Sequence, residues 1–305
     1  MRIPSKLRAA LSSHWGDAGQ QWLEAFPERL KAAEVRWGIT IGDAFDPGGF
    51  TSWTAPAVTQ AGEDVVYKCV IPHDEAVGED AALAAYDGDG AVRLVASQPS
   101  TFELLIESCN PGTDLWSATD ERHRFEVAGE LMRTLWRPTD AGSIASLTDV
   151  GPRWADIMER RMLTLDLPWI TDPIDRGAEL MRTLPFDNDH PLLIHGDFHP
   201  GNILAAQRNP WLVIDPKPMI GSPAYDAVQL LTQADGRVVE PPPVAAIEKR
   251  LDVLAALLGI EAERIALWAL ARTAEWSMWS LDHDAIVEAA IEYSWTRSLD
   301  SILAD

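Results

Sequence analysis

The segment His195-Gly196-Asp197-Phe198-His199-Pro200-Gly201-Asn202-Ile203-Leu204, followed by Trp211-Leu212-Val213-Ile214-Asp215, gathers an unusual set of polar side chains between apolar runs. Asp197 and Asn202 are five residues apart, and Asp215 lies eighteen residues beyond Asp197. A carboxylate, a side-chain amide and a second carboxylate are what phosphoryl transfer needs. One carboxylate sits beside the acceptor hydroxyl, and the remaining oxygens hold Mg²⁺ against a triphosphate. A cation stands apart from this set: Lys68 lies inside the apolar run Val65–Ile71, where an ammonium is costly unless paired.

Other chemistries compete for the same residues. His190, His195 and His199 lie near Asp197, and the last two are four apart as in helical zinc pairs, so a metal-dependent hydrolase is one alternative. Gly196, Pro200 and Gly201 argue against a helix there, and one-face presentation then fails. Asp197 and Asn202 also suit a loop as turn-capping residues with no chemistry. His195 reads as a packed, hydrogen-bonded loop residue. No Gly-x-Ser-x-Gly elbow and no Walker A stretch is present.

Two textures of chain must position these residues. An amphipathic helix is expected over 18–36 despite Pro27, with Trp22, Leu23, Phe26, Leu30, Ala33 and Trp37 at helical spacing. Short strands follow at 39–41, 53–59, 65–71, 91–96 and 102–107, with a helix over 74–86. The turns at Asp46-Pro47-Gly48-Gly49 and Ala61-Gly62-Glu63-Asp64 separate the earlier ones. This predicts a five-stranded antiparallel sheet with one inserted helix. Helices dominate afterwards, at roughly 120–136, 152–165, 173–183, 223–234, 244–258, 261–281 and 285–302, interrupted by the polar loop region 191–216. The fold class is therefore α+β, with two lobes and a crevice between them.

Composition bounds the rest. The 305 residues are 47% apolar and 24% charged, as in globular proteins with a full core. No run approaches the ~20 apolar residues of a membrane span, and the first residues lack the apolar core of a signal peptide. Only Cys69 and Cys109 occur, which excludes a disulfide framework and points to a reducing cytoplasm. Lys+Arg 25 against Asp+Glu 47 leaves −22, a field that repels nucleic acid and anionic membrane and attracts cationic ligands.

The runs HGDFHPGN, WLVIDPK and GSPAYDA resemble the aminoglycoside/hydroxyurea phosphotransferase group, small-molecule kinases that include streptomycin 6-phosphotransferases. Upstream, GGFTSWTAPA, VVYKCVIP, AYDGDGAVRLVA and LLIESCNPGTDLW fall in the family's order, so the resemblance covers roughly residues 38–280. It implies a bilobal, protein-kinase-like fold: a nucleotide-binding lobe at 1–107, a hinge at 108–111 and a helical lobe with the substrate site at 112–305. The reaction implied is transfer from ATP, with Mg²⁺, to a hydroxyl of an aminoglycoside, aminocyclitol or amino sugar. The expected partner is a small, cationic alcohol and not nucleic acid or membrane, and a monomer or homodimer is expected.

Residue by residue, the resemblance implies that Asp197 accepts or orients the hydroxyl proton, as the catalytic Asp of protein kinases does. Asn202 and Asp215 would ligate Mg²⁺. Lys68 would hold the α- and β-phosphates and pair with Glu79. Glu107, with Cys109, would form the hinge that meets adenine through the backbone. Gly48 to Ser52, including Thr51 and Ser52, would cover the phosphates, although the kinase Gly-x-Gly-x-x-Gly pattern is absent. Pro216-Lys217 stand where protein kinases have Phe-Gly; Lys217 would approach phosphate oxygens or point to solvent. Asp226 would brace the catalytic loop or stabilise a helix start. Glu275, Trp276, Trp279 and Asp282 are the candidate substrate residues, since the first three share a helical face with Arg272. A nucleotide-binding module without catalysis is the remaining alternative; it would usually lack one of Lys68, Asp197 or the metal ligands.

Overall fold

The computed structural model describes residues 2–140, 142–165, 171–187, 190–234 and 237–304. The chain divides into two compact units: Met1–Gly112 with Ala205–Leu212, and Thr113–Leu204 with Val213–Asp305.

The first unit starts with α1 (Ser5–Ala10), a π-helical turn at Leu11–Trp15 and α2 (Gly16–Trp37). Nothing before residue 18 was expected to be helical. Leu7, Ala10 and Leu11 are spaced three and four apart and are buried together, which gives this stretch its reason to coil. Pro27 removes one helix hydrogen bond from α2. The helix persists because Trp22 stacks on Phe26 (4.5 Å between centroids) and Phe26 meets Trp53 edge-on (5.1 Å). Gly38, left-handed at φ +59°, caps it by donating its N–H to Glu34 O.

A five-stranded antiparallel sheet follows: β1 (Ile39–Ile41), β2 (Ser52–Thr59), β3 (Asp64–Val70), β4 (Leu94–Gln98) and β5 (Glu103–Glu107), in the order β1-β2-β3-β5-β4. One helix, α3 (Glu79–Tyr86), is inserted after β3. The expected helix over 74–86 is broken. A 3₁₀ turn at Asp74–Ala76 stops before Gly78, whose φ of +90° no helix accepts, and Glu79 becomes the first residue of α3.

The second unit contains α4 (Glu121–Leu135), β6 (Ala145–Ser146), α5 (Leu147–Leu165), α6 (Thr171–Thr183) and β7 (Leu192–Ile194). The chain then leaves and re-enters this unit through the two-stranded pairing of β8 (Ile203–Ala205) with β9 (Trp211–Val213). It continues through β10 (Met219–Gly221), α7 (Ala227–Thr232), the short pair β11 (Gln233–Ala234) and β12 (Arg237–Val238), then α8 (Val244–Leu258), α9 (Ala262–Asp282) and α10 (Ile286–Ile302). β10 pairs parallel with β6 and antiparallel with β7, Met219 opposite Ile194. Two helix boundaries differ from expectation. α5 begins at Leu147 with Pro152 inside it, and the expected helix 223–234 is a 3₁₀ turn (Pro223–Tyr225) followed by the short α7.

Residues 205–212 pack with the sheet unit although they lie far along the chain. Gly112 N donates to Ala205 O, and Arg208 reaches Gly88 O, Ala91 O and both oxygens of Glu107. Long-range hydrogen bonds of one arginine thus decide where this segment belongs.

Candidate active site

In the first unit, Lys68 sits mid-way along β3, buried between β2 and β5, with Thr54 and Leu104 as its ladder partners. Its Nζ lies 2.5 Å from Glu79 Oε1, and both residues are buried. The break at Gly78 brings this about, because it starts α3 at Glu79 instead of letting the helix run through. An ammonium in an apolar strand is thereby neutralised in place.

The other candidates of this unit lie on and around β2 and β5. Glu107 accepts from Arg208 Nε and Nη2 (both 2.9 Å) and from Arg93 N (3.0 Å). Burial would raise its pKa, but these bonds outweigh burial and hold the carboxyl below the usual range. Cys109 is a half-buried thiol pushed up to about 11 by burial and the Glu107 charge. Ser52 opens β2 with its Oγ 3.4 Å from Thr54 Oγ1, and Thr51 O accepts from Ile71 N (2.8 Å). The turn before them is pinned from the N-terminus. Asp46 accepts from Arg2 Nη2 (2.6 Å) and Ser5 N (3.1 Å), and Pro47 O accepts from Lys6 N (3.3 Å).

In the second unit, β7 ends at Ile194 and delivers His195 to a loop closed on itself by backbone and side-chain bonds. His195 is fully buried; its Nε2 donates to Ile214 O (3.0 Å) and its Nδ1 accepts from Asp197 N (3.2 Å). Burial pushes its pKa down, so the ring is a neutral spacer, as read from the sequence. His199 Nδ1 accepts from Gly201 N at 3.0 Å. Both nitrogens of one imidazole and one of the other are thus spent within the loop and on the adjoining Ile214. Among the described residues no three His, Cys, Asp or Glu side chains are grouped to hold a metal ion.

Gly196 has no alternative. Its φ is +79°, and a Cβ there would collide with the Lys217 carbonyl. Ile214 N donates to Asn202 O (2.9 Å) and Lys217 N to His195 O (2.9 Å), so residues 214–217 are stitched beside the loop. Between those stitches Asp215 adopts φ +59°, a left-handed conformation that costs a non-glycine residue roughly 1–2 kcal/mol. It ends the extended run after β9 and lets the chain turn back. Asn202 Nδ2 donates to Asp197 O (2.9 Å), which orients its Oδ1 the other way.

Asp197 is held at both carboxylate oxygens. Gln229 Nε2 donates to Oδ1 (2.7 Å), and Lys217 Nζ lies 3.1 Å from Oδ2. Burial favours the neutral acid, yet Lys217, then His199 and the Gln229 amide, outweigh it and hold the carboxyl well below the usual range. Lys217, one-third exposed, pairs with Asp197 in this structure. Asp226 is the loop's brace. Oδ2 accepts from His195 N (2.9 Å) and Trp136 Nε1 (3.0 Å), and Oδ1 accepts from Gly196 N (2.7 Å).

Gln229 escaped the sequence reading. Its signal is a lone amide in the otherwise apolar run Ala227-Val228-Gln229-Leu230-Leu231, three residues after Asp226. The residue is buried and its Oε1 has no partner among the described residues, a cost of about 1–3 kcal/mol.

The candidate substrate face of α9 is less acidic than its sequence. Arg161 of α5 lies 3.0 Å from Asp282 Oδ2 and 3.9 Å from Glu275 Oε1. Trp276 covers the Arg272 guanidinium (4.6 Å), which Tyr225 approaches from its own ring at 3.9 Å, and Trp279 is exposed and stacked on His283. Arg272 is buried and donates to Tyr225 O (3.2 Å), so this arginine of the expected face packs inward.

A family model for aminoglycoside/hydroxyurea antibiotic resistance kinases matches residues 36–284. The chain belongs to that family. It is 31% identical over 296 residues to a hydroxyurea phosphotransferase of Kitasatospora aureofaciens, covering 92% of this chain and 81% of that one. It is 30% identical over 293 residues to a streptomycin 6-kinase of Streptomyces glaucescens, covering 92% of each. Among solved structures, a thermostable mutant of aminoglycoside phosphotransferase APH(4)-Ia superposes with a TM-score of 0.62 at 15% identity, over 90% of this chain and 100% of that one. The choline kinase LicA of Streptococcus pneumoniae superposes at 0.59 with 12% identity, over 90% and 99%. The fold is thus that of the protein-kinase-like small-molecule kinases, and the protein is a small-molecule kinase, an ATP-dependent phosphotransferase with a hydroxyl as acceptor. No helix among the described residues is long and apolar enough to cross a membrane.

Proposed function

We propose that this kinase transfers the γ-phosphoryl of ATP, with Mg²⁺, to a hydroxyl of an aminoglycoside, aminocyclitol or amino sugar in the cytoplasm. The observation that carries the reading is the Asp197 carboxylate, ionised and held at both oxygens inside a loop that also contains Asn202 and adjoins Asp215. Such a carboxylate is a weak base, suited to orienting an acceptor hydroxyl and receiving its proton late, which a loose phosphoryl-transfer transition state permits. Asn202 and Asp215 are hard oxygen donors, one with its amide oriented by Asp197 O, and a site of this kind is completed by phosphate and water oxygens. When bound there, Mg²⁺ would neutralise the charge of the phosphates. Lys68, braced by Glu79, would hold the α- and β-phosphates. Thr51, Ser52 and the backbone at Glu107 and Cys109 would complete the nucleotide site.

Relatives named for streptomycin and hydroxyurea support a small polar acceptor, and the net charge of −22 supports a cationic one. Glu275, Trp276, Trp279 and Asp282 would meet it, with Arg161 moderating the charge of the two acids. Release of ADP across aminoglycosides, aminocyclitols, sugars and hydroxyurea, with and without excess chelator, tests the reading. Turnover should depend on Mg²⁺ and fall by orders of magnitude in Asp197→Asn while ATP still protects against heat. Undiminished turnover in that variant would overturn it.

A further inference from the structure

We propose that Gln229 is a positioning residue for phosphoryl transfer: it fixes the Asp197 carboxylate so that Oδ2, and not Oδ1, meets the acceptor hydroxyl. The inference rests on the reading of Asp197 as the group at that hydroxyl.

Gln229 lies on α7, a helix whose six residues are all buried. A methionine or leucine would fill the same space without burying a polar atom, so packing alone does not account for an amide whose Oε1 is left unpaired. What the amide provides is its other end, the Nε2 donor 2.7 Å from Asp197 Oδ1. The assignment of the two ends follows from chemistry, since a flipped amide would set two acceptors against each other.

The two oxygens of Asp197 are held unequally. Lys217, on Oδ2, is one-third exposed and ends a flexible four-carbon stem. Gln229, on Oδ1, is buried and extends from a helix whose first flanking residue, Asp226, already binds the amides of His195 and Gly196. The start of α7 therefore grips the loop twice, by backbone through Asp226 and by the reactive side chain through Gln229. A hydroxyl arriving from the side of Lys217 finds Oδ2, and the carboxylate plane is already set.

Two variants of nearly unchanged volume test this. Gln229→Met removes the donor, and Gln229→Glu replaces it with an acceptor facing Asp197. Gln229→Met should lower kcat by about 10- to 100-fold, with the KM for ATP and for the acceptor changed by less than about threefold, and Gln229→Glu should lower it further. The melting temperature of Gln229→Met should stay close to that of the parent, because removal of the unpaired Oε1 offsets the lost bond to Asp197 Oδ1. A kcat within about twofold of the parent in both variants would overturn the inference, as would a loss that merely tracks the folded fraction in both. Asp197→Asn, run alongside, separates the two levels. If it turns over like the parent, the reading of Asp197 fails. If it is inactive while Gln229→Met is fully active, only the role of Gln229 fails.

Discussion

Breaking the Lys68–Glu79 pair from one side should cost far more stability than deleting it whole. The two groups are 5% and 4% exposed, with 2.5 Å between nitrogen and oxygen. At an effective dielectric of about 20, unit charges at that separation attract by about 7 kcal/mol. Desolvating each ion costs several kcal/mol, so the intact pair nets little against an apolar pair of the same volume. Removing one partner forfeits the attraction while the other charge stays buried, a loss of about 3–5 kcal/mol. Glu79→Leu and Lys68→Met should each lose that much, a large part of a typical 5–15 kcal/mol. The double variant should return to within about 2 kcal/mol of the parent, well short of additivity. Urea unfolding followed by far-ultraviolet circular dichroism and tryptophan fluorescence gives the three values. Single losses under about 1 kcal/mol, or an additive double, would refute the argument that burial makes the two charges interdependent. The double variant also separates structure from catalysis, since it should fold and yet fail to turn over.

Glu292 gives a pH signature: burial, followed by the neighbouring charges of Glu275 and Glu288, lifts it to about 7 against the partial opposition of Ser280. Its folded pKa exceeds its unfolded one, so its contribution is intact below the ordinary carboxyl range and is lost as pH rises towards 7. Glu292→Gln should therefore flatten the fall in unfolding free energy between pH 5 and 8 by an amount on the order of 3 kcal/mol, read from urea unfolding at each pH, and parallel profiles would show the shift to be absent. Asp226→Ala leaves three donors without an acceptor, those of His195 N, Gly196 N and Trp136 Nε1, and should cost several kcal/mol at roughly 1–3 each. Hydrogen exchange should show the His195 and Gly196 amides losing protection first; unchanged protection would refute the bracing role.

The loop that carries the candidate site was legible because its constraint is local. Gly196, Pro200 and Gly201 mark a tight turn, and Asp197, Asn202 and Asp215 follow from spacing alone. Strands 39–41 and 53–59 and the helix at 244–258 were legible for the same reason, as runs of side chains at one period. Gly78 shows the limit: the 3₁₀ turn ends at Ala76 with Val77 extended, the left-handed Gly78 then starts α3 at Glu79, and the apolar pattern across 74–86 ran straight through both. The N-terminal helix went unread because Leu7, Ala10 and Leu11 make too short a stripe to stand out before their partners are known.

By itself, the order of residues determined the α+β class, the strand-then-helix succession and the identity of the loop's oxygen-bearing groups, since these depend on neighbours a few positions apart. Only the tertiary structure decided what those groups touch. Lys217 pairs with Asp197 instead of turning to solvent, Gln229 reaches Asp197 from thirty-two residues away, Arg161 tempers Glu275 and Asp282, and Arg208 carries residues 205–212 into the sheet unit. Such partnerships arise from sheet register and helix packing, which fix distances between segments that no local periodicity relates.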